Sequence, residues 1–393
     1  MTAAPGHLLA EEHDTRLRRV RERMTAQAID TLIVSDPANM HYLTGYDGWS
    51  FYTPQGLVVP ADGDLLLFTR EMDAAGARMT TSLPDEQILG FPDDYVQQPD
   101  RHPLQWVANE LTRRGAVGPT IGLEMDAYFF SPRAYDALRA ALPGARFVDA
   151  HELVNWVRSV KSEGELQLMR TAARIVERVM AAGIDRVEPG VRQCDAVAAI
   201  YEAAVRGVDG VGGDYPAIVP MLPTGPGTGT PHLTWSDEPF RSGEATILEL
   251  AGCYRRYHCP MARTVFLGRP PRRLVETASA TREGLEAALA AVRPGIRCED
   301  VEAAWRREIA KHGLAKSSRI GYSVGLNYPP DWGEHTMSLR PGDETELEPG
   351  MTFHMIVGMW MDGWGFELSE TFHVAPGGAE CLSSFPRELV VKD

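Results

Sequence analysis

The sequence predicts a two-domain α/β protein whose second half is α+β. Three observations carry that prediction. The chain has 393 residues, 44% of them hydrophobic and 24% charged, which is long enough for two cores of ordinary domain size. Short apolar strand patterns alternate with helical ones through the first 150 residues, as in a mixed α/β layer. A capped helix near residue 162 then opens a segment of different character, in which a loop rich in glycine and proline is followed by strand-like runs.

Residues 14–30 read as a basic amphipathic helix and residues 31–35 as a short buried strand that stops at the turn formers Asp36 and Pro37. Residues 56–60 and 64–68 read as the two arms of a hairpin joined through Ala61, Asp62 and Gly63. The alternation continues to about residue 150, and the domain boundary falls at 160. Ser162 stands in capping position with Glu163 and Glu165 in the first turn, where the positive end of the helix dipole favours them. Leu166, Met169, Ala173, Val176 and Met180 recur at helical spacing until Glu188, Pro189 and Gly190 stop the helix. Residues 209–230 read as backbone shaped around a site rather than as a packed element, and strands are expected to dominate beyond them.

Thirty-nine basic and 54 acidic residues give a net charge of −15 at pH 7, which argues against a grip on nucleic acid or on anionic lipid. No apolar run approaches the roughly 20 residues of a membrane span, and the N-terminal residues His13, Asp14, Arg16 and Arg18 leave no apolar signal core. A cytoplasmic protein acting on a small molecule is the expectation. The five cysteines, at 194, 253, 259, 298 and 381, lack paired metal spacing and read as reduced thiols.

Lys161 and Ser162 followed by a helix of the Glu-Leu-Met-Arg type resemble the opening of the catalytic domain in the superfamily of creatinase, prolidase and methionine aminopeptidase, and residues 1–160 resemble the auxiliary domain of creatinase and prolidase. The resemblance implies a creatinase-like mixed-sheet N-terminal domain followed by a pita-bread domain at 161–393. It also locates the positions where metallopeptidases of this type carry two metal ions. The paired aspartates, eleven residues apart before an Arg-Thr, correspond to Glu249 and Pro260, followed by Arg263 and Thr264. The ligand histidine corresponds to Tyr322, one glutamate to Ile356, and the last to Ser369 or Glu370. Proline and isoleucine cannot coordinate a divalent cation, so neither metal nor another cofactor is expected.

Within the superfamily creatinase is a metal-free hydrolase, and the string from Gly229 to Trp235 resembles the loop that bears its catalytic histidine, matched by His232. The strings 43–52, 212–225, 231–235, 328–334 and 337–341 resemble the ectoine hydrolases more closely. That resemblance implies hydrolytic opening of a cyclic amidine to an N-acetylated 2,4-diaminobutyrate. The chemistry requires attack on the carbon between two nitrogens and a proton for the leaving amine. Glu249 stands where a structural strand would hold a hydrophobe, and it can attack directly or activate water while pairing with an amidinium. His232 can shuttle the proton, or else be a loop histidine bonded to backbone.

Asp214 and Tyr215 either line the pocket or end a turn. Tyr322 joins them as a substrate-binding candidate. Glu334 and Glu370 can each hold an amine or pair with an arginine such as Arg263, which itself reads as a buttress. Histidines 258 and 354 read as core histidines without a role. Trp49, Phe51 and Tyr52 would by themselves be packing, but creatinase uses the corresponding loop to reach a neighbour's active site, with Phe51 matching its substrate-facing phenylalanine. The resemblance therefore implies a homodimer in which Trp49 and Phe51 cover a cationic ring. A creatinase-type hydrolase of another amidine or guanidine, and a non-catalytic peptide-binding pita-bread module of the histone-chaperone kind, are the competing readings.

Overall fold

The computed structural model describes the backbone of residues 5–393 and the side chains from residue 12 onward. Two compact units divide it, Met1–Arg158 and Ser159–Asp393; the sequence reading set its boundary at 160.

In the first unit six strands, β1 (Thr31–Val34), β2 (Gly56–Pro60), β3 (Leu66–Arg70), β4 (Ile88–Phe91), β5 (Thr120–Leu123) and β6 (Arg146–Asp149), form one sheet in the order β4-β3-β2-β1-β5-β6. The β1–β2 and β2–β3 pairs are antiparallel and the others parallel. Helices α1 (Pro5–Ala26), α2 (Pro37–Thr44), α3 (Ala74–Thr80), α4 (Pro103–Arg114), α5 (Pro132–Ala141) and α6 (Leu153–Arg158) accompany it. Side chains alternate across a strand, so Leu32 and Val34 join one core with Val20 and Val154, while Ile33 joins another with Leu104 and Leu138. Burial on both faces explains the unbroken apolar runs read from the sequence. The second arm of the predicted hairpin starts two residues late: the bend ends at Gly63, φ +101°, and Asp64 and Leu65 run outside the ladder before β3 begins at Leu66.

The second unit opens with α7 (Glu163–Arg186), capped as its sequence implies: Ser162 accepts from the Glu165 amide, and the Glu165 carboxylate accepts from the Ser162 amide. Helix α8 (Gln193–Arg206) follows, and then the long antiparallel pair β7 (Ala245–Tyr254) and β8 (Tyr257–Leu267). Gly252 lets α7 cross directly over β7: a Cβ at this position would lie 2.0 Å from the Ala172 carbonyl oxygen.

Two helices come next, α9 (Arg272–Ala291) and α10 (Cys298–Ala310), where the sequence reading let strands dominate. Their signal was present, since Leu274, Ala278, Thr281, Leu285 and Ala288 are buried at helical spacing. Then come β9 (Gly321–Val324), β10 (Gly333–Leu339), β11 (Thr352–Ile356), the small hairpin β12 (Met359–Met361) and β13 (Trp364–Phe366), β14 (Ser369–Ala375), β15 (Gly378–Cys381) and β16 (Val390–Lys392). One sheet has the order β10-β9-β11-β14-β15, and β16 adds to β8 in parallel. Each half of the unit is thus a helix pair followed by antiparallel strands. Side-chain hydrogen bonds join β8 to β14: Thr371 Oγ1 donates to the Pro260 carbonyl at 2.7 Å, and the Ala262 amide donates to Ser369 Oγ at 2.6 Å. All five cysteines are free thiols. No helix among the described residues is long and apolar enough to cross a membrane.

Candidate active site

Strand β7 is buried along nearly its whole length, and Glu249 is the only charged side chain in it. Its backbone pairs with Ala262 on β8 and with Met221 on the other side, through two 3.1 Å hydrogen bonds. Burial pushes the Glu249 carboxyl up to about 7, and the nearby negative charge of Asp331 adds to the effect.

Around this carboxylate the second sheet brings a hydrogen-bonded chain. Tyr322 on β9 lies beside His354 on β11, and Ile356 lies beside Ser369 on β14. The Tyr322 hydroxyl accepts from Trp332 Nε1 at 2.8 Å and lies 3.0 Å from His354 Nδ1, while His354 Nε2 lies 2.8 Å from Ser369 Oγ. Burial, with Arg319 nearby, drives the His354 imidazole down to about 3, so it is neutral and donates from one nitrogen while accepting at the other. Burial holds the Tyr322 phenol well above its ordinary value, and the Glu249 charge pushes the same way. The Arg319 guanidinium covers the Tyr322 ring at 4.4 Å. Burial works upward on Asp331, but hydrogen bonds from His335 at 2.8 Å and from the Gly333 amide at 3.0 Å hold it below the usual carboxylate range.

His232 occupies an exposed loop in left-handed conformation, φ +65°, and makes no hydrogen bond or ion pair with the described residues. Its neighbour Leu233 accepts from the Leu222 amide, next to Met221, so the loop runs one ladder step beyond the segment that pairs with Glu249. The strained backbone is of the kind that clusters at functional sites, though histidine tolerates it better than most residues.

The other expected site residues are placed less uniformly. The Asp214 amide donates to the Cys253 carbonyl and its carboxylate accepts from the Arg256 amide at 3.3 Å, while the Tyr215 ring lies under the Arg256 guanidinium at 3.7 Å. Both therefore sit at the β7–β8 turn, four strand residues or roughly 13 Å from Glu249. Glu334 is fully buried against Lys161 at 2.6 Å, and Glu370 accepts from Arg263 at 2.7 Å, from Arg387 at 3.1 Å and from Ser383 at 3.1 Å. Glu370 is thus paired with Arg263, the arginine anticipated for it, whereas Glu334 is paired with a lysine instead of an arginine. Trp49 and Phe51 belong to the first unit, where their rings are 4.8 Å apart and Phe51 meets Phe129 edge-on at 5.4 Å; Trp49 is largely exposed.

Sequence reasoning passed over three groups and gave a fourth, His354, no role. Glu367, just before β14, is buried and held well above its ordinary range by that burial and by the charge of Glu249. Lys316 lies over the Trp360 ring at 3.9 Å, and burial lowers its ammonium to about 8. Asp331 and His354 complete the set. Glu367 carried the same signal as Glu249, a carboxylate between Phe366 and Leu368 in an apolar run.

The residues at the five metal positions do not fit a pair of divalent cations. Pro260 and Ile356 have no side-chain donor atom, Tyr322 is neutral and bonded to His354, and the last position is either Ser369, also bonded to His354, or Glu370, taken up by Arg263, so Glu249 is the one carboxylate left without a cationic partner among the described residues. Among the described residues, the cluster with ligand-like geometry is Glu283, Glu308 and His312 on the α9–α10 surface.

Residues 16–160 match the creatinase/prolidase N-terminal domain and residues 167–376 match metallopeptidase family M24. The chain is 48% identical to ectoine hydrolase from Halomonas elongata, with 97% of this chain and 98% of that protein covered. It is 46% identical to an uncharacterized hydrolase/peptidase of Sinorhizobium fredii, over 98% of this chain and 99% of the relative. The prolidase of Thermococcus sibiricus superposes with a TM-score of 0.83 at 19% identity, covering 96% of this chain and 99% of its own; at that identity the likeness speaks for the fold. The chain belongs to metallopeptidase family M24, in the two-domain form with a creatinase/prolidase N-terminal domain, and is a hydrolase.

Proposed function

We propose that this hydrolase opens the cyclic amidine ring of ectoine to N-acetyl-L-2,4-diaminobutyrate without a metal ion, acting as a cytoplasmic homodimer. The observation that carries the reading is Glu249: a buried carboxylate with a pKa pushed up to about 7, at one of the five positions matched to metal ligands and without an ion-pair partner among the described residues. The identity to a named ectoine hydrolase along nearly the whole chain supports the choice of substrate.

Ectoine carries an amidinium and a carboxylate. A cluster of Glu249, Asp331 and Glu367 offers negative potential to the amidinium and none to the carboxylate, which orients the ring with its cationic carbon toward Glu249. Glu249 then adds to that carbon, forming an adduct that water afterwards attacks to supply the acetyl oxygen and release the carboxylate, or it takes a proton from a water that adds in its place. Cleavage of the C–N bond leaves the electron pair on the departing nitrogen, and His232, on its exposed loop, supplies the proton. Asp214, Tyr215, Tyr322 and the aromatic pair Trp49 and Phe51, the latter contributed by a neighbouring subunit, are proposed to complete substrate binding; Glu334 and Glu370 support the walls through Lys161 and Arg263.

The test is ectoine consumption followed by NMR, with protein treated with EDTA and checked for residual metal. Turnover with release of an acetylated diaminobutyrate is the expected result. Folded protein that leaves ectoine intact would overturn the reading in favour of another amidine or guanidine substrate, and failure to bind any of them would favour a non-catalytic module.

A further inference from the structure

Glu367 is anchored through its backbone and left open at its side chain. Its amide donates to Thr264 Oγ1 at 2.9 Å, and its carbonyl accepts from the same hydroxyl at 2.9 Å. Thr264 pairs with Ile247 on β7, two residues from Glu249, so the two glutamates share one end of the β7–β8 ladder. The side chain is 2% exposed, and its Oε1 has no hydrogen-bond partner among the described residues. Leaving a buried acceptor unsatisfied is costly, and such groups are rare enough in native proteins to ask for a ligand. The positive group acting on it is Lys316, whose Nζ donates to the Gly358 carbonyl at 2.8 Å and lies over Trp360. That ammonium is thereby held by the β12–β13 hairpin. Trp360 Nε1 is a second buried polar atom in this neighbourhood with no hydrogen-bond partner among the described residues.

We propose that Glu367 is a second substrate-binding carboxylate, whose free Oε1 accepts an N–H of the amidinium that Glu249 faces from the other strand. Two carboxylates against one cation distinguish an amidinium from a neutral amide of the same shape, because the amide leaves one of them buried without compensation. Lys316, fixed over Trp360, keeps the pair from carrying two uncompensated charges before the ligand arrives. The inference rests on the reading of Glu249 as the cation-facing group and adds the residue that sets charge selectivity.

The experiment compares wild type with Glu367→Gln, both checked for native circular dichroism, in steady-state turnover of ectoine and in calorimetric binding of acetamidinium and acetamide. A charged hydrogen bond of this kind predicts a KM for ectoine raised roughly 10- to 100-fold with kcat changed much less, and a wild-type preference for acetamidinium over acetamide that the variant loses. A variant whose KM stays within about twofold, beside an active wild type, overturns the role of Glu367 and leaves the ring-opening reading standing. An inactive wild type that still binds acetamidinium through Glu367 removes ectoine as the substrate and keeps the proposal. A wild type that binds neither ectoine nor acetamidinium overturns it. If Glu367→Gln does not fold, Glu367→Asp, which keeps the charge and withdraws it by one methylene, is used for the same comparison.

Discussion

At the scale of the residue, the chemistry concentrates in a carboxyl group that the fold holds at a cost. Glu249 has an ordinary pKa of 4.5 and a folded value of about 7. Between those values the native state binds more protons than the unfolded chain, so its contribution to stability is full below pH 4.5 and is lost as pH rises through 7. The loss amounts to about 3 kcal/mol at 1.4 kcal/mol per unit. Glu249→Gln removes the ionisation, so the variant should melt above wild type at pH 8, by about 2–3 kcal/mol, and the gap should close at pH 5. The same variant should lose turnover by at least about 10³-fold, with wild-type kcat rising through pH 7 as the carboxylate forms. Equal melting temperatures at both pH values would show that Glu249 ionises as an ordinary surface group. His232 is the contrasting case, exposed and without a partner among the described residues. His232→Asn, which tolerates the same left-handed backbone, should leave stability within about 0.5 kcal/mol and lower turnover by roughly 10²- to 10⁴-fold; unimpaired turnover would remove the histidine from the mechanism. Glu249 was legible in the sequence because a carboxylate in an apolar strand has no structural excuse. Glu367 obeys the same rule, but it matches none of the metal-ligand positions and stands two residues from Ser369, so the resemblance did not mark it. Asp214 and Tyr215 were drawn toward the site by a loop composition that the β7–β8 turn accounts for equally well.

At the scale of the element, the β7–β8 hairpin sets the spacing of the whole site, and its turn shows which features a sequence hides. The connection passes through Arg255 at φ +49° and Arg256 at φ +66°. Two-residue turns of this hand favour glycine or asparagine, so two arginines gave no turn signal, and the hairpin was legible only through its strands. The two positions should respond differently. Arg255→Gly relieves a strained backbone and should be neutral or stabilising by up to about 1 kcal/mol. Arg256→Gly gains the same freedom but strips the guanidinium from the rings of Tyr215 and Tyr328, at 3.7 and 5.3 Å, and should cost about 1–2 kcal/mol. Denaturant unfolding of the two variants checks the contrast, and equal effects would refute it. Helix α7 was read almost residue by residue, since capping and apolar period agreed. Helices α9 and α10 were passed over although their signal was present: Leu274, Ala278, Thr281 and Leu285 recur at helical spacing in α9, diluted by small residues, and Val301, Trp305 and Ile309 do so in α10. The close crossing of α7 over Gly252 was invisible, because a glycine inside a strand reads as a weakness until the carbonyl 2.0 Å from its absent Cβ is seen. Gly252→Ala should cost about 3 kcal/mol or more by forcing the helix off the strand.

At the scale of the whole molecule, the chain belongs to a metallopeptidase family, and the proposed metal-free reaction needs a group that stands in for a metal's charge. In the metal form two dications balance the ligand carboxylates and bring a water to its reactive state. Here four of the five positions carry no charge if the last falls at Ser369, which touches His354, rather than at Glu370, which is taken up by Arg263. Under the proposed function the amidinium of the substrate faces the remaining negative groups, Glu249, Glu367 and Asp331, and stands in for metal charge. That proposal predicts a distinctive response to chelation and to salt. EDTA at millimolar concentration, followed by desalting, should leave kcat/KM for ectoine within about twofold of the untreated protein, and added Zn²⁺ or Mn²⁺ should not raise it. Raising the ionic strength should weaken substrate binding only modestly, because the paired charges are buried and poorly screened. Loss of activity on chelation that stoichiometric metal restores would show that the donors absent from the five positions are supplied by other residues, and the chain would then be a metal-dependent member of its family despite Pro260 and Ile356. The same preparations, run through size exclusion with light scattering, should give twice the chain mass of 43.3 kDa if the aromatic loop carrying Trp49 and Phe51 serves a neighbour. A monomer that turns over ectoine at full rate would assign those rings to the packing of the first unit alone.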